Sequence, residues 1–153
     1  MITRPTTAQI LEDCAREVRE AIVPAVTDPT VRVRLEMLEQ LLASCAVRAG
    51  FEMAWMAEET AEMVPLTEQV VTATADARVA ALHATWLEGR TDSLVLEDRI
   101  ADYDRAGRAF AAALEVAMHS TLDELAEQVR VIIGHRRDHE TSTRPGFYLP
   151  GRS

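Results

Sequence analysis

The sequence predicts an all-α fold, an antiparallel bundle of four or five helices with a long second helix and an irregular C-terminal tail. The 153-residue chain is 48% hydrophobic but only 5% aromatic, and its abundant Ala, Leu, Glu and Met favour helix. Apolar residues recur at helical spacing between clear capping and proline signals. Since no segment alternates apolar and polar residues over a useful length, no strand is predicted.

The first helix is predicted to begin at Thr6 and to end at Pro24. Gln9 stands three positions after Thr6, which completes a capping box at the helix start. One helical face carries the apolar residues that we expect in the core. These are Leu11, Cys14, Ala15, Val18 and Ile22.

The second helix is predicted to begin at the Asp28-Pro29 pair, with a capping acceptor followed by proline in the first turn. It extends to about Met63, before Pro65, which is long for a globular helix. Gly50 either kinks this helix or allows the close approach of a neighbour. The apolar stripe that we expect to face the core comprises Val31, Leu35, Leu38, Leu42, Cys45, Ala49, Met53, Met56 and Met63.

Three further helices follow. The third is predicted to begin at Thr67 and to extend to about Glu88, where Gly89 ends it, and Ser93 caps the fourth. Ser120 is the predicted cap of the fifth helix, although the fourth and fifth could also form one bent helix. Residues 1–140 therefore form a single predicted bundle domain, and residues 141–153 form a tail, extended or disordered, that is rich in proline and glycine.

The charge of the chain excludes several classes of function. A net charge of −9 does not supply the basic surface that nucleic acids and anionic membranes require. The N-terminal residues contain no apolar signal region, and no run of about 18 apolar residues occurs, so we expect a cytoplasmic protein. Cys14 and Cys45 lie in the apolar stripes and are interpreted as buried free thiols, and no cofactor is predicted.

The stretch "GHRRDHE", residues 134–140, places His135 and His139 on one helical face, as in zinc-binding HExxH motifs. Arg136 stands where such motifs carry the catalytic Glu, and no third metal ligand is evident. The basic side chains occupy the last turns of a helix, where the helix dipole favours cations. The sequence therefore predicts no metal site, and no catalytic residue is assigned elsewhere in the chain.

Four polar residues are candidates for a ligand pocket between the second and fourth helices. Glu52 lies about 55° from the centre of its apolar stripe, and Arg48 one turn earlier can pair with it. Asp104 lies near the edge of the fourth helix's stripe, and Arg108 follows it by four residues and can pair with it. One interpretation is that both pairs are structural ion pairs at the contacts between helices. The alternative is a small-molecule site lined by Arg48, Glu52, Tyr103 and Asp104, with Trp55 or Trp86 at its wall.

Aromatic and aliphatic residues off the stripe predict a contact with a second chain. Val47, Phe51 and Trp55 do not share the core-facing side of the second helix, and Trp86 lies on a second apolar face of the third helix. A helix with apolar residues on every side is normally buried by other protein segments on every side. We therefore expect a homodimer with these four residues at its interface, with a ligand cavity lined by the aromatics as the alternative.

The N-terminal third, "RPTTAQILEDCAREVREAIVPAV" followed by "VRVRLEMLEQLLASCAVRA", resembles a family of uncharacterised small helical proteins of actinobacteria and their relatives. Family members are often encoded beside phosphotransferase-like kinases and acyl-CoA dehydrogenases. The resemblance therefore implies an association with a metabolic enzyme, but it implies no particular activity for the protein itself. We therefore expect a non-enzymatic, oligomeric interaction or accessory protein, and the alternative is a small-molecule-binding protein or enzyme.

Overall fold

The computed structural model describes residues 4–119 and 123–143, and within these ranges the protein is helical, with no residue in a β-strand. The all-α prediction is confirmed. The helices are α1 (Thr7–Glu17), a π-helical segment (Val18–Ile22), α2 (Val23–Ala25), α3 (Pro29–Thr74), α4 (Ala77–Gly89), α5 (Leu96–His119) and α6 (Asp123–Ser142). No helix in these ranges has both the length and the apolar character needed to cross a bilayer.

The chain divides into two compact units, where the sequence predicts one bundle over residues 1–140. The terminal unit comprises Met1–Glu52 and His139–Ser153, and the central unit comprises Met53–Asp138. The terminal unit therefore holds α1, the π-helical segment, α2 and the first half of α3. The central unit holds the second half of α3, α4, α5 and most of α6.

The predicted start of α1 is confirmed, but the helical path continues past its predicted end. Thr6 N–H donates to Gln9 Oε1 at 2.9 Å, and Gln9 N–H donates to Thr6 Oγ1 at 3.3 Å, which completes the capping box. Pro24 lies inside α2 and does not end the helical path. The wider turn of the π-helical segment precedes the proline, whose ring would clash with the carbonyl four residues earlier in a regular α-helix.

The prediction that the second helix ends before Pro65 is wrong, because α3 passes through this residue and ends at Thr74. Proline removes one helical hydrogen-bond donor and normally kinks or ends a helix. Here the residues on both sides are buried in the core of the central unit, with Met63 0% and Leu66 2% exposed. Because bending the chain away would expose these side chains, packing outweighs the local cost of proline.

The third predicted helix accordingly begins later than Thr67, which is a buried residue within α3. The break falls at Ala75, whose φ of 52° ends the regular helical path. Asp76 then caps α4, since its carboxylate accepts hydrogen bonds from the backbone N–H groups of Arg78 at 2.9 Å and Val79 at 3.0 Å.

The core of the central unit combines four helices. Aliphatic and aromatic side chains from α3 and α4 pack against small and large apolar residues of α5 and α6. The alanines of α5 permit close approach of neighbouring helices around the larger Phe110. The buried residues are Met63, Leu66, Val70, Val79, Trp86, Ala106, Phe110, Ala112, Ala113, Ala117, Leu125, Val129 and Ile132.

Two arginines of α5 cover the C-terminal end of α4. Arg99 donates to the carbonyl oxygen of Thr91 at 2.9 Å, and Arg105 donates to the carbonyl oxygen of Gly89. Both guanidinium groups lie within 4 Å of the carboxylate of Asp102, which is 4% exposed. A Cβ atom at Gly89 would lie 2.7 Å from Arg105 Nε, so glycine permits this close approach. Arg105 thus satisfies the Gly89 carbonyl group at the end of α4, which has no partner within the helix, and Arg99 satisfies the Thr91 carbonyl group in the connection that follows.

The predicted tail begins later than Thr141, because α6 extends to Ser142. Ser93 lies three residues before α5, so it is not the N-cap residue that the sequence predicts; its Oγ accepts a hydrogen bond from Val95 N–H at 3.1 Å in the turn before the helix. The Ser120 cap, the connection between α5 and α6, and Phe147, Tyr148 and Leu149 of the tail lie outside the described residues.

Candidate functional site

A groove of about 360 Å³ on the central unit brings α5 and α6 together with two of the predicted site residues. Tyr103 and Asp104 lie in the first half of α5, and Arg136 lies near the end of α6. The small lining residues Gly107 and Ala111 are here called the floor of the groove, and the charged lining residues are called its rim. The lining residues are Tyr103, Asp104, Gly107, Arg108, Ala111 and Arg136.

A buried carboxylate from α3 anchors two of these lining residues. Glu59 is 6% exposed, and the hydroxyl group of Tyr103 donates a hydrogen bond to its Oε2 atom. Arg136 Nε lies 3.0 Å from the same oxygen. The Arg136 guanidinium also lies over the Tyr103 ring, 5.6 Å from its centroid, within the range of a cation–π interaction. Three helices are thus tied together at one carboxylate.

The environment of Tyr103 keeps its hydroxyl group protonated. Burial, and after it the hydrogen bond to Glu59, raise the pKa of Tyr103 to about 12, while Arg136 acts in the opposite direction. At neutral pH Tyr103 is therefore a hydrogen-bond donor to Glu59. This arrangement holds the tyrosine ring and the arginine in fixed positions beside the groove.

Arg108 and Asp104 form a contact that differs from the predicted ion pair. Arg108 Nε donates to the main-chain carbonyl oxygen of Asp104 at 3.3 Å, not to its carboxylate. Both residues are exposed, and water therefore solvates the two charged groups well. The terminal nitrogens of Arg108 and the carboxylate of Asp104 remain available at the edge of the groove.

The predicted pairing of Arg48 with Glu52 is confirmed in the terminal unit. Arg48 donates a hydrogen bond to Glu52 Oε1, and the Glu52 side chain is 29% exposed. This hydrogen bond, together with the charge of Glu52, raises the pKa of the Arg48 guanidinium. The pair is therefore the helix-surface contact expected at a spacing of four residues. The four-residue pocket of Arg48, Glu52, Tyr103 and Asp104 remains a prediction.

Sequence reasoning missed Glu59 and Arg136 as site residues. Glu59 follows Met56 by three positions and precedes Met63 by four, so it lies on the same helical face as these two stripe residues. This spacing was the signal that could have revealed its burial. No residue spacing in the sequence indicates the role of Arg136, because its contact with Glu59 depends on the position of α6 beside α3 and α5.

The two histidines of the HxxxH stretch lie in different surroundings. His135 Nδ1 lies 2.9 and 3.2 Å from the two carboxylate oxygens of Glu62, and its side chain is 51% exposed. His139 is half-buried. Among the residues that the structure describes, no group of three or more His, Cys, Asp or Glu side chains is arranged to hold a metal ion.

The four predicted interface residues differ in exposure. Phe51 is 55% exposed, and Val47 and Trp55 are half-buried. Trp86 is only 8% exposed and belongs to the core of the central unit, where its ring lies 5.7 Å from that of His83. Little of Trp86 is therefore available to a partner chain.

Several residues expected in the core of the second helix are exposed in the terminal unit. Val31 is 39% and Leu38 is 43% exposed, and the prediction that they face a core is wrong. The reason is that α1 packs on another side of α3, where the groove between the two helices is lined by Glu39, Ala43, Ala46 and Val47. Cys14, predicted to be buried, is likewise exposed, while Cys45 is half-buried. Among the residues that the structure describes, no atom lies within 4 Å of a Cβ atom placed at Gly50, so a close approach of a described helix does not explain this glycine.

Comparison of the chain with protein-family models, with curated proteins and with solved structures finds no match.

Proposed function

We propose that the protein is a non-enzymatic, homo-oligomeric interaction protein that dimerises through the first half of α3. The observation that carries this proposal is an exposed apolar surface, here called the α3 apolar face. Its members are large apolar side chains of the terminal unit, each between 39% and 55% exposed. They are Val31, Met37, Leu38, Leu41 and Phe51.

The α3 apolar face lies away from the side of the helix that packs against α1. Its members fall within an arc of roughly 160° around the helix axis, at 100° per residue. The Arg48–Glu52 pair lies within the same arc, between Leu41 and Phe51 along the helix. On another side of α3, Glu39 pairs with Arg19 of the π-helical segment at 3.2 Å. Since α1 and its extension cover that other side, the apolar face has no cover from these helices.

The extent of the surface favours a protein partner over simple exposure to water. Five side chains, each at least 39% exposed, together present roughly a few hundred Å² of apolar surface, near the upper limit for a patch on a monomeric protein. Leu38 and Leu41 are three residues apart, and Met37 and Leu41 are four apart, so these side chains are neighbours on the helix. Burial of such a patch would supply the main driving force for association.

A second copy of the chain is the occupant that the spacing favours. Two members of the α3 apolar face, Val31 and Leu38, belong to a longer stripe with Leu35, Leu42, Cys45 and Ala49, in which the residues follow each other at alternating intervals of four and three. This interval is the heptad repeat of paired helices. A two-fold contact brings the same stripe from both chains together, and it is the commonest closed arrangement of homo-oligomers.

The proposal extends to the setting of the protein. We place the dimer in the cytoplasm, as an accessory protein of a metabolic enzyme. The association with a metabolic enzyme is supported by the resemblance of the N-terminal third to proteins encoded beside phosphotransferase-like kinases and acyl-CoA dehydrogenases. The acidic net charge of −9 argues against nucleic acid as the partner.

Sedimentation velocity on the wild type and on two matched variants tests the dimer. Leu41→Glu places a charge in the α3 apolar face, and Val131→Glu places one on α6 of the central unit. Leu41 and Val131 are 55% and 50% exposed, so each variant should fold as the wild type does. We expect a dimer for the wild type and for Val131→Glu, and a monomer for Leu41→Glu, because a charge buried at an apolar seam has no partner.

A third variant tests the anchor that the sequence predicts. Trp55 follows Phe51 by four residues along α3 and is half-buried, and buried aromatic residues dominate such interfaces. Trp55→Glu should also yield a monomer. A monomeric mass for the wild type at high micromolar concentration would refute the dimer, as would an undiminished dimer of Leu41→Glu.

A further inference from the structure

We propose that the groove between α5 and α6 binds a small zwitterion, such as a free amino acid, with its carboxylate at Arg108 and Arg136 and its ammonium group at Asp104. This site is independent of the α3 apolar face. All its residues belong to the central unit.

The balance of charge around the groove selects a zwitterion over a simple anion. Arg136 is already paired with the buried carboxylate of Glu59 at 3.0 Å, and the carboxylate of Asp104 offsets the charge of Arg108 at the rim. The four formal charges therefore sum to zero, on a chain whose net charge is −9. A ligand with a net negative charge would be repelled by the surrounding protein, whereas a ligand with separated and equal charges would not.

The shape of the groove limits the size of the ligand. Its volume of about 360 Å³ lies at the lower end of the range for small-molecule sites. Gly107 and Ala111 are small lining residues one helical turn apart, and no atom of the described part of the chain lies within 4 Å of a Cβ atom placed at Gly107. This open space accepts a compact apolar group, with the half-buried Tyr103 as one wall.

The two arginines contribute in different ways. Arg136 is held in place by the contact of Nε with Glu59 and by its position over the Tyr103 ring. Its remaining nitrogens can therefore bind the ligand carboxylate with little loss of side-chain freedom. Arg108 uses Nε for the main-chain carbonyl of Asp104, and its terminal nitrogens can form a two-pronged contact with a carboxylate. Asp104 is an exposed acceptor one turn away, and it suits an ammonium group.

The test is a protein-observed NMR titration of the full chain with the standard L-amino acids, followed by the two fragments of the amino acid that binds, named here for leucine. We expect at least one amino acid to give saturable shifts at the amides of Gly107, Arg108 and Ala111, with a millimolar Kd. The fragments 4-methylpentanoate, which lacks the ammonium group, and 3-methylbutan-1-amine, which lacks the carboxylate, should bind about tenfold more weakly than leucine or not at all.

Three variants locate the binding. Gly107→Leu fills the floor of the groove without a clash of its Cβ atom, and Arg108→Gln and Asp104→Asn each remove one charge. Each should weaken binding by about tenfold or more. Arg130→Gln is the matched control, because Arg130 is an exposed arginine of α6 that pairs with Glu127 away from the groove, and it should bind as the wild type does.

Three results would overturn the proposal. The first is that no amino acid gives saturable shifts at these amides. The second is binding by 4-methylpentanoate as tight as that of leucine, which would indicate an anion site. The third is undiminished binding by Gly107→Leu in a sample whose circular dichroism and melting match the wild type.

Discussion

The hydroxyl group of Tyr103 on α5 donates a hydrogen bond to the buried carboxylate of Glu59 on α3, 44 residues earlier in the chain. The contact joins two helices that are distant in the sequence. It also makes the stability of the central unit depend on the protonation of one tyrosine.

Tyr103 should make the protein less stable at alkaline pH. The folded state raises the pKa of Tyr103 to about 12, above the value of about 10 for an unfolded chain. The stabilising contribution is therefore complete below pH 10 and is lost as the pH rises towards 12, because only the folded state still binds the proton. Urea unfolding at several pH values between these limits measures the loss.

Tyr103→Phe provides the control for this pH dependence. It should be less stable than the wild type near neutral pH by about 1–2 kcal/mol, because Glu59 loses a donor. The difference between wild type and variant should shrink above pH 10. A difference that stays constant up to pH 12 would contradict the assigned pKa.

Removal of the cation beside Glu59 should destabilise the central unit. Arg136→Ala removes the guanidinium group that lies 3.0 Å from the carboxylate of Glu59, which is 6% exposed. We expect a loss of about 2 kcal/mol in the free energy of unfolding, as for hydrogen bonds to charged groups. Chemical denaturation provides the measurement.

Two further variants separate this effect from a general loss of arginine. The double variant Glu59→Gln with Arg136→Ala should recover part of the stability, because the buried side chain at position 59 is then neutral. Arg130→Ala, which breaks an exposed pair with Glu127, should change the free energy by less than about 0.5 kcal/mol. Equal losses for Arg136→Ala and Arg130→Ala would contradict the role of Glu59.

Asp76→Ala should weaken the start of α4. The Asp76 side chain accepts from two backbone N–H groups that have no partner within the helix, and the loss of such a cap costs about 1 kcal/mol. Asp92→Ala, a change at an exposed aspartate of the connection before α5, should have little effect. Thermal unfolding followed by circular dichroism compares the two, and equal melting temperatures would argue against the cap.

The histidines of the HxxxH stretch should not hold a metal. His135 is occupied by Glu62 at 2.9 Å, and a protein zinc site generally needs at least three protein ligands. Elemental analysis of protein purified without a tag should find no stoichiometric transition metal. A metal that is lost on changing His135 and His139 to Ala would show that this stretch is a binding site.

The candidate site could be read from the sequence only in part. Tyr103 and Asp104 were predicted site residues, and both line the groove. Their predicted partners Arg48 and Glu52 form a local pair one turn apart, which spacing along a single helix is sufficient to predict. Glu59 and Arg136 were missed, because their contact depends on how helices distant in sequence pack.

Local signals in the sequence determined the helical class of the protein and the places where α1 and α3 begin. The capping box of Thr6 and Gln9 works through hydrogen bonds between near neighbours, so residue spacing alone predicts it. For the same reason the four-residue spacing of Arg48 and Glu52 is sufficient to pair them.

The tertiary structure decided where local signals compete with packing. Pro65 lies inside α3 because Met63 and Leu66 on either side are buried, and their burial outweighs the missing hydrogen bond. Leu38, which the helical period assigns to a core, is 43% exposed. A periodic stripe specifies which side chains share a face, but only the packing of distant helices determines whether that face is covered within the chain.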